Sequence, residues 1–389
     1  MANCAFDFAL VNQEQCFVAL ENTCGTLAKP TSADRCYSVG PVDFSQEREL
    51  LPDQQIRPAA SQLPYIKARL TPGEWKMSTY VKPSGTPGTK PEHAKLFRAA
   101  FGLETPSGSK VDYTLENQLD SLSIWFKKGH TVFALRGATV EQAAFKVEGQ
   151  SVAQVDWSGK FMERLWAGEC PSDGTFGAGA SQIKLASGGA VRYCNGMLVT
   201  IGTDDNSGAG YTISNVNYTN DTFGITPTLA TSQGTNPTIY PFWPTSSAEV
   251  GEPAHGKLGL VTISSAQAIV LTANVTLTNN IKYYENEKNG VWTAERFARP
   301  LKRTIEGTIT CYFLKAGLSY FYRADYRKFD ALVIPVGNEN GKIMEITIPY
   351  AQYKAPKITG TEEFEQELAF MAVSGGTYPY NDEMVVTFK

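Results

Sequence analysis

The sequence predicts a mainly antiparallel β protein, with two tandem α+β units and a small β module inserted between them. Three observations indicate this fold class: strand-like alternation along most of the chain, only two segments with helical periodicity, and one order of elements that occurs twice. A length of 389 residues is sufficient for two or three such units, each with its own core.

The predicted strands alternate apolar and polar residues, are rich in Val, Ile, Thr and aromatic residues, and are bounded by Gly, Asn, Asp or Pro. They start near residues 131, 151, 197, 268, 342 and 384. Helical periodicity is confined to residues 92–103 and 318–329. The apolar residues that share a helical face are Phe97, Ala100 and Phe101 in the first segment, and Leu318, Phe321, Tyr322 and Phe329 in the second.

The two ends of the chain repeat one order of elements, namely strand, helix, strand and then a longer β region. The first copy runs through residues 78–83, 92–103, 121–126 and 131–157, and the second through 310–315, 318–329, 331–336 and 342–368. An offset of 211 residues aligns 145–149 with 356–360 and places Trp157 on Leu368. We therefore predict an internal duplication, with units at residues 1–170 and 258–389.

Residues 171–257 belong to neither copy and are rich in Gly, Thr, Asn and Pro, which predicts a small inserted β module. This segment has 3 basic and 6 acidic residues, against 18 and 19 in residues 1–170 and 14 and 14 in residues 258–389. The net charge of the chain is −4, which excludes a strongly basic nucleic-acid binder. The module's acidic bias suits a solvent-facing position.

No pattern of catalytic or cofactor-binding residues is visible in the chain, so we predict neither an enzyme nor a bound cofactor or metal. The histidines, His93, His130 and His255, are far apart and have no cysteine or carboxylate at metal-ligand spacing. No nucleophile elbow or P-loop occurs. The run 204–206 resembles the start of a calcium loop but lacks its Gly and distal Glu, which favours a tight turn.

The seven cysteines contain no C-x-x-C pair and are interpreted as small buried hydrophobic residues, with a disulfide among the four N-terminal ones left open. The N-terminus lacks the pattern of a secretory signal. No apolar run reaches the length of about 18 residues that a membrane-spanning helix needs.

One pattern of carboxylates stands out, because Glu363, Glu365 and Glu367 alternate with uncharged residues. In a strand, this spacing places three negative charges on one face, which is stable only if that face is hydrated or meets a counter-charge. An exposed, solvated strand is one interpretation, and a surface that repels a passing polyanion is the other. The matching segment of the first copy has Asp156 as its single charge, flanked by Gln154 and Ser158.

Two other functional classes remain open at this point. Tyr240, Phe242 and Trp243 in the middle module would supply a stacking platform if the chain were a carbohydrate-binding adhesin of a phage or bacterium. A β-rich glycoside hydrolase would need two opposed carboxylates, and the sequence nominates no such pair.

Several segments together resemble the tail tube proteins of long-tailed bacteriophages. In the first copy these are residues 14–30, 72–85, 92–102 and 137–159, and in the second they are 256–280, 299–315 and 343–373. The resemblance covers most of residues 10–170 and 258–389 and depends on the order of elements and on short similar runs.

The resemblance implies a β-sandwich unit with a flanking helix, whose inner sheet joins those of its neighbours into a closed barrel. Rings of such units stack into a tube through which double-stranded DNA passes without specific binding. A chain with two units would form the ring from three copies, a pseudo-hexamer of the kind expected in flexible, non-contractile siphovirus tails.

The same resemblance implies a virion protein that is assembled in the host cytoplasm and contacts tape-measure, terminator and distal tail proteins, with no membrane involved. The inserted module would project outward from the tube. By family position, Glu363, Glu365, Glu367 and Asp156 are the candidates for residues that face the lumen.

Overall fold

The computed structural model describes residues 14–55, 64–257, 259–264, 266–285, 292–314, 317–360, 363–376 and 380–389. Within these residues the protein is mainly β, and its two α-helices are α1 (Ala94–Phe101) and α2 (Leu318–Asp325). The predicted fold class is therefore confirmed. Strands also lie at each of the six places where alternation predicts them.

The first part of the chain contains twelve strands within the described residues. They are β1 (Gln15–Leu20), β2 (Arg35–Cys36), β3 (Asp43–Ser45), β4 (Arg48–Leu51), β5 (Ile66–Leu70), β6 (Gly73–Tyr80), β7 (Gly102–Pro106), β8 (Val111–Leu115), β9 (Leu122–Lys128), β10 (Thr131–Glu148), β11 (Gln154–Phe161) and β12 (Glu163–Gly168).

The middle segment follows with shorter strands. They are β13 (Cys170–Pro171), β14 (Thr175–Phe176), β15 (Gln182–Lys184), β16 (Leu198–Ile201), β17 (Tyr211–Asn217), β18 (Thr222–Thr226), β19 (Gln233–Thr235) and β20 (Thr238–Pro241). Six of these strands form one sheet in the order β13-β20-β16-β17-β18-β15.

The last part of the chain returns to longer strands. They are β21 (Thr262–Ile263), β22 (Ala266–Gln267), β23 (Val270–Thr278), β24 (Lys282–Tyr284), β25 (Arg296–Ala298), β26 (Thr304–Tyr312), β27 (Phe329–Val336), β28 (Met344–Tyr353), β29 (Lys357–Thr359), β30 (Glu365–Ala372) and β31 (Val385–Phe388).

The 18-residue strand β10 belongs to two sheets. Its first part pairs with β9 and β12, and its second part pairs with β11 and β23. The strand changes partners around Gly137, whose φ of +61° suits glycine. A Cβ atom at this position would lie 2.5 Å from the Met162 sulfur, so no larger residue fits without a shift of Met162.

Strand β28, in the last part of the chain, also changes partners, but on one edge only. It pairs with β27 along nearly its whole length, whereas its other edge pairs with β31 in its first part and with β30 at its end. The following strand β29 also pairs with β30. The duplication stays a prediction, and its 211-residue offset does not hold in detail. Lys146 pairs with Gln154, but its counterpart Lys357 pairs with Glu367, two residues beyond the position that the offset predicts.

One sheet of antiparallel strands runs through both halves of the chain in the order β6-β11-β10-β23-β26-β30. One face of this sheet is buried in a single hydrophobic core to which both halves contribute. Trp75, Trp157 and Phe145 come from the first half, and Val275 and Phe370 from the second. Burial of this much apolar surface is the main force that holds the two halves together.

The middle segment has a second core, which includes side chains of the first half. Phe17, Trp125, Val132 and Leu165 pack into it from β1, β9, β10 and β12. The middle segment also reaches the outer edge of β12, where the Cys194 N–H donates a hydrogen bond to the Trp166 carbonyl at 3.2 Å. The division of the chain at residues 170 and 257 remains a proposal.

The two helices differ in how their predicted apolar faces are used. In α1, Phe97, Ala100 and Phe101 are buried, as the periodicity predicts. The second helix is shorter than predicted, because it ends at Asp325 and β27 starts at Phe329. The predicted second face is not a core face: Leu318 is 65% exposed, Tyr322 is 54% exposed and Phe321 is half-buried. Phe329, also 54% exposed, lies in β27 and not in the helix.

Candidate functional site

The sheet that spans both halves has one buried face and one polar face. Because side chains alternate along each strand, the residues of the polar face are those between the core positions. We define the polar face as Glu74, Lys76, Ser78, Tyr80, Gln154, Asp156, Ser158, Lys160, Gln142, Ala144, Lys146, Glu148, Thr272, Asn274, Thr276, Thr278, Thr304, Glu306, Thr308, Thr310, Tyr312, Glu365, Glu367, Ala369 and Met371.

The charge of the polar face is unevenly divided between the two halves. Strands β6, β11 and β10 contribute three carboxylates and three lysines, which balance. Strands β23, β26 and β30 contribute Glu306, Glu365 and Glu367 and no lysine. The net negative charge of the polar face therefore comes from the second half of the chain.

Asp156, one of the predicted residues, lies on the polar face in a hydrogen-bonded ion pair. Its carboxylate accepts hydrogen bonds from Ser78 at 2.6 Å and Gln154 at 2.8 Å, and lies 2.5 Å from the Lys146 ammonium group. Burial raises the pKa of Asp156, but these three partners outweigh it and hold the pKa below its usual range. Because Lys146 neutralises it, Asp156 adds little net charge to the surface.

Glu365 and Glu367 also lie on the polar face and are half-buried at the start of β30. Glu365 is opposite Tyr312 and Thr359, and Glu367 is opposite Thr310 and Lys357. Glu363 lies just before the strand and is exposed. Among the described residues, no ion pair involves the side chains of Glu306, Glu365 or Glu367. Within the described residues, no cationic side chain therefore neutralises these three charges.

Sequence reasoning missed Glu306 and the threonines around it. Thr276, Thr278, Thr304 and Thr308 line a shallow groove of about 460 Å³ on the polar face together with Glu306 and one cation, Lys354. The sequence does contain a pattern that indicates this surface, because residues 272–278 and 304–310 alternate Thr, Asn or Glu with apolar residues or glycine. This pattern does not show that β10 pairs with β23, and that pairing places these strands on one surface with Asp156.

The histidines do not form a common site. His130 lies 2.9 Å from Glu169 on the surface, and His255 accepts a hydrogen bond from the Lys257 N–H at 3.1 Å. His93 is buried at the start of α1, with Nδ1 3.5 Å from the Cys36 sulfur. In the described part of the chain, no group of three or more His, Cys, Asp or Glu side chains is arranged to hold a metal ion.

Five cysteines are buried and unbridged, as the composition predicts, and Cys24 is exposed. Cys4 lies outside the described residues. Cys16 and Cys36 face each other across β1 and β2. The hydrogen bond from Cys16, with help from His93, lowers the pKa of Cys36 to about 5, although burial opposes this.

The three aromatic residues of the middle segment do not form a stacking platform. Phe242 is 5% exposed, and Trp243 packs edge-on against Phe17 at 4.9 Å between ring centres. The Trp243 indole N–H also donates a hydrogen bond to Gln15 at 2.7 Å. Tyr240 is exposed, but one ring does not make a carbohydrate platform. The geometry therefore gives no support to an adhesin.

No helix among the described residues is both long enough and apolar enough to cross a membrane. A family model described as phage tail tube protein matches residues 12–372, which is nearly the whole chain. A search of curated proteins found none that matches this sequence.

Proposed function

The chain belongs to the phage tail tube protein family, and we propose that its copies form rings that stack into the channel for ejection of genomic DNA into the host. As a member of this family, the protein is a structural component of the virion tail, where it assembles with itself and with other tail proteins. The polar face that extends unbroken across both halves of the chain is the observation on which the channel proposal depends.

The chemistry of the polar face suits the wall of a DNA channel. Lysine and arginine side chains bind phosphates and release counterions, so an excess of them would hold the DNA. Two of the three lysines on the face, Lys146 and Lys160, are paired with carboxylates at 2.5 Å and 3.1 Å. The remaining surface is rich in threonine and has a net negative charge. Such a wall is wetted but offers a phosphate backbone few places to bind.

We propose that three copies make one ring, because each chain supplies two similar sets of strands to the sheet. Edge strands are left unpaired in an isolated chain, and ring closure would pair them. The ring would be a pseudo-hexamer in a non-contractile tail of siphovirus type. Assembly in the host cytoplasm around a tape-measure protein, with terminator and distal tail proteins at the ends, completes the proposal.

Electron microscopy of the purified protein, together with native mass spectrometry, tests this function. We expect rings or tubes with an open lumen, threefold symmetry, and a ring mass equal to three chains of 42.5 kDa. Compact monomers that never polymerise would overturn the tube proposal. Rings with the mass of six chains would keep the tube and overturn the pseudo-hexamer.

A further inference from the structure

Helix α2 exposes an apolar stripe that the described part of the chain leaves uncovered. Leu318, Tyr322 and Tyr326 are four residues apart, so they lie on one side of the helix and its C-terminal cap. Their exposed fractions are 65%, 54% and 65%, and the two tyrosine rings lie against each other at a tilt of 35°, with their centres 4.5 Å apart. Two adjacent aromatic rings and a leucine on one exposed side are typical of a contact surface.

The corresponding positions in α1 are buried. Residues 96–101 (LFRAAF) align with residues 321–326 (FYRADY), so Phe97 and Phe101 correspond to Tyr322 and Tyr326. Phe97 and Phe101 are 2% and 0% exposed.

Part of what covers α1 belongs to the other half of the chain. The ring of Phe388, in the last strand, lies 5.1 Å from that of Phe97. The Asn279 side chain donates a hydrogen bond to the Ala100 carbonyl at 2.9 Å. In addition, the hairpin β7–β8 follows α1, pairs with β31 and places Tyr113 5.3 Å from Phe97. Helix α1 is thus buried at the junction between the two halves of the chain, which we call the internal junction.

Among the described residues, helix α2 has no such cover. The chain passes from the Tyr326 cap to β27 at Phe329, so no hairpin follows α2. The lysine and arginine residues at 327–328 are exposed as well. The described part of the chain thus supplies Tyr322 and Tyr326 with no equivalent of what covers Phe97 and Phe101, and a second copy of the chain can supply it.

The strands beside the two helices show the same difference. At the internal junction, β10 pairs with β23 over seven residues. The counterpart of the second part of β10 is β29, since each pairs with the strand that follows it. The counterpart of β23 is β3, because a hairpin separates β3 from β6 just as a hairpin separates β23 from β26. Within the described residues, β29 pairs only with β30 and β3 pairs only with β6. Each thus has one open edge.

The two open edges are complementary. The exposed residues of β29 include Lys357, and those of β3 include Asp43. Because the edges lie at opposite ends of one sheet, seven strand spacings or about 33 Å apart, they do not meet within one chain. They can meet between two chains placed head to tail.

We propose that the stripe of Leu318, Tyr322 and Tyr326, with the open edge of β29, binds the first half of a second copy of this chain in a contact that repeats the internal junction. This inference rests on the proposed ring and names the surface that closes it. The edge of β29 pairs with β3 of the next copy, and α2 becomes buried as α1 is within one chain.

The double variant Tyr322→Glu/Tyr326→Glu tests the helix contact. Because both side chains are exposed in the single chain, we expect normal secondary structure and thermal unfolding but no rings by light scattering and electron microscopy. Tyr218→Glu is the matched control, since Tyr218 is 59% exposed in the middle segment, and it should assemble as the unmodified chain does. Rings formed by the double variant would overturn this inference and leave the tube function standing. Failure of the unmodified chain to form rings would instead overturn the function.

Cysteine cross-linking tests the strand contact. In rings of Asp43→Cys/Thr359→Cys, air oxidation removes two thiol hydrogens per bond and should give disulfide-linked trimers on a non-reducing gel. Each single variant should give none. The pair Glu148→Cys/Thr272→Cys is the positive control, because these residues are direct partners at the internal junction and should link within one chain. Rings that contain no 43–359 link while the control pair is oxidised would contradict the proposed pairing.

Discussion

At the scale of single residues, Glu21 stands out because it is a buried carboxylate with four partners. It is 9% exposed and accepts hydrogen bonds from the Gly25 N–H and the Ser121 hydroxyl, both at 2.8 Å. It also accepts one from the Ser123 hydroxyl at 2.8 Å and one from the Gly137 N–H at 2.7 Å. Glu21 thereby holds the point at which β10 passes from one sheet to the other.

Glu21→Ala should destabilise the protein by about 2–4 kcal/mol, because it leaves buried donors without an acceptor. The measurement is urea unfolding followed by tryptophan fluorescence. Glu252→Ala is the control, since the side chain of Glu252 is 83% exposed and its loss should change the free energy of unfolding by less than about 0.5 kcal/mol. Equal stability of the two variants would show that Glu21 does not hold the strand.

The stability should also depend on pH through Glu21. Burial raises the pKa of Glu21 above 4.5, and its hydrogen bonds offset this only in part. A carboxyl group whose pKa is raised by folding stabilises the protein below the pKa of the unfolded state, and this stability is lost as the pH rises through the folded-state pKa. The free energy of unfolding, compared with that of Glu21→Gln, should therefore fall as the pH rises above 4.5. A constant difference between the two proteins would contradict this.

At the scale of elements, the polar face has charges that can be reversed without touching the core. Glu306→Lys should leave ring formation intact and slow DNA release several-fold at low salt, because the new lysine binds phosphates. We leave Glu365 and Glu367 unchanged because they lie opposite Thr359 and Lys357 of β29, beside the proposed contact between chains. The measurement is DNA release from phage that carries the variant, with Glu252→Lys as the control outside the polar face. Unchanged release would end the proposal that the polar face lines the lumen.

The sequence predicted the type of an element correctly where its apolar side chains are buried within the chain itself. The alternation of β10, β23 and β28 identified them as strands, and α1 buries the face that its periodicity predicts. The pattern failed at α2, since an apolar stripe looks the same whether it faces a core or a partner. It also could not show that β10 pairs with β23, because period-two alternation identifies a face and not a neighbouring strand.

At the scale of the whole molecule, the middle segment and the first half should unfold as one unit. Trp125 and Phe17 belong to the core of the middle segment, although they lie in β9 and β1. Trp125→Ala should therefore lower the unfolding temperature of the middle segment along with that of the first half, with a cost of about 3–5 kcal/mol. Hydrogen exchange resolved by peptide provides the measurement.

The conservative change Trp125→Phe is the control and should cost much less than Trp125→Ala. Protection of residues 198–225 that stays unchanged in Trp125→Ala, while the first half loses its protection, would contradict the single unit. The segment would then behave as an independent module, as its sequence alone suggests.

The passage of β10 through two sheets also has a mechanical consequence. At about 3.3 Å per residue, its 18 residues would span about 60 Å if the strand were straight, and the chain stays continuous through the irregularity at Gly137. A load on the middle segment passes through β12 into this strand and along its covalent backbone to the polar face, without crossing a loop. Each chain is therefore stiff along this path, and we expect a bending tube to yield at the contacts between chains while each chain keeps its shape.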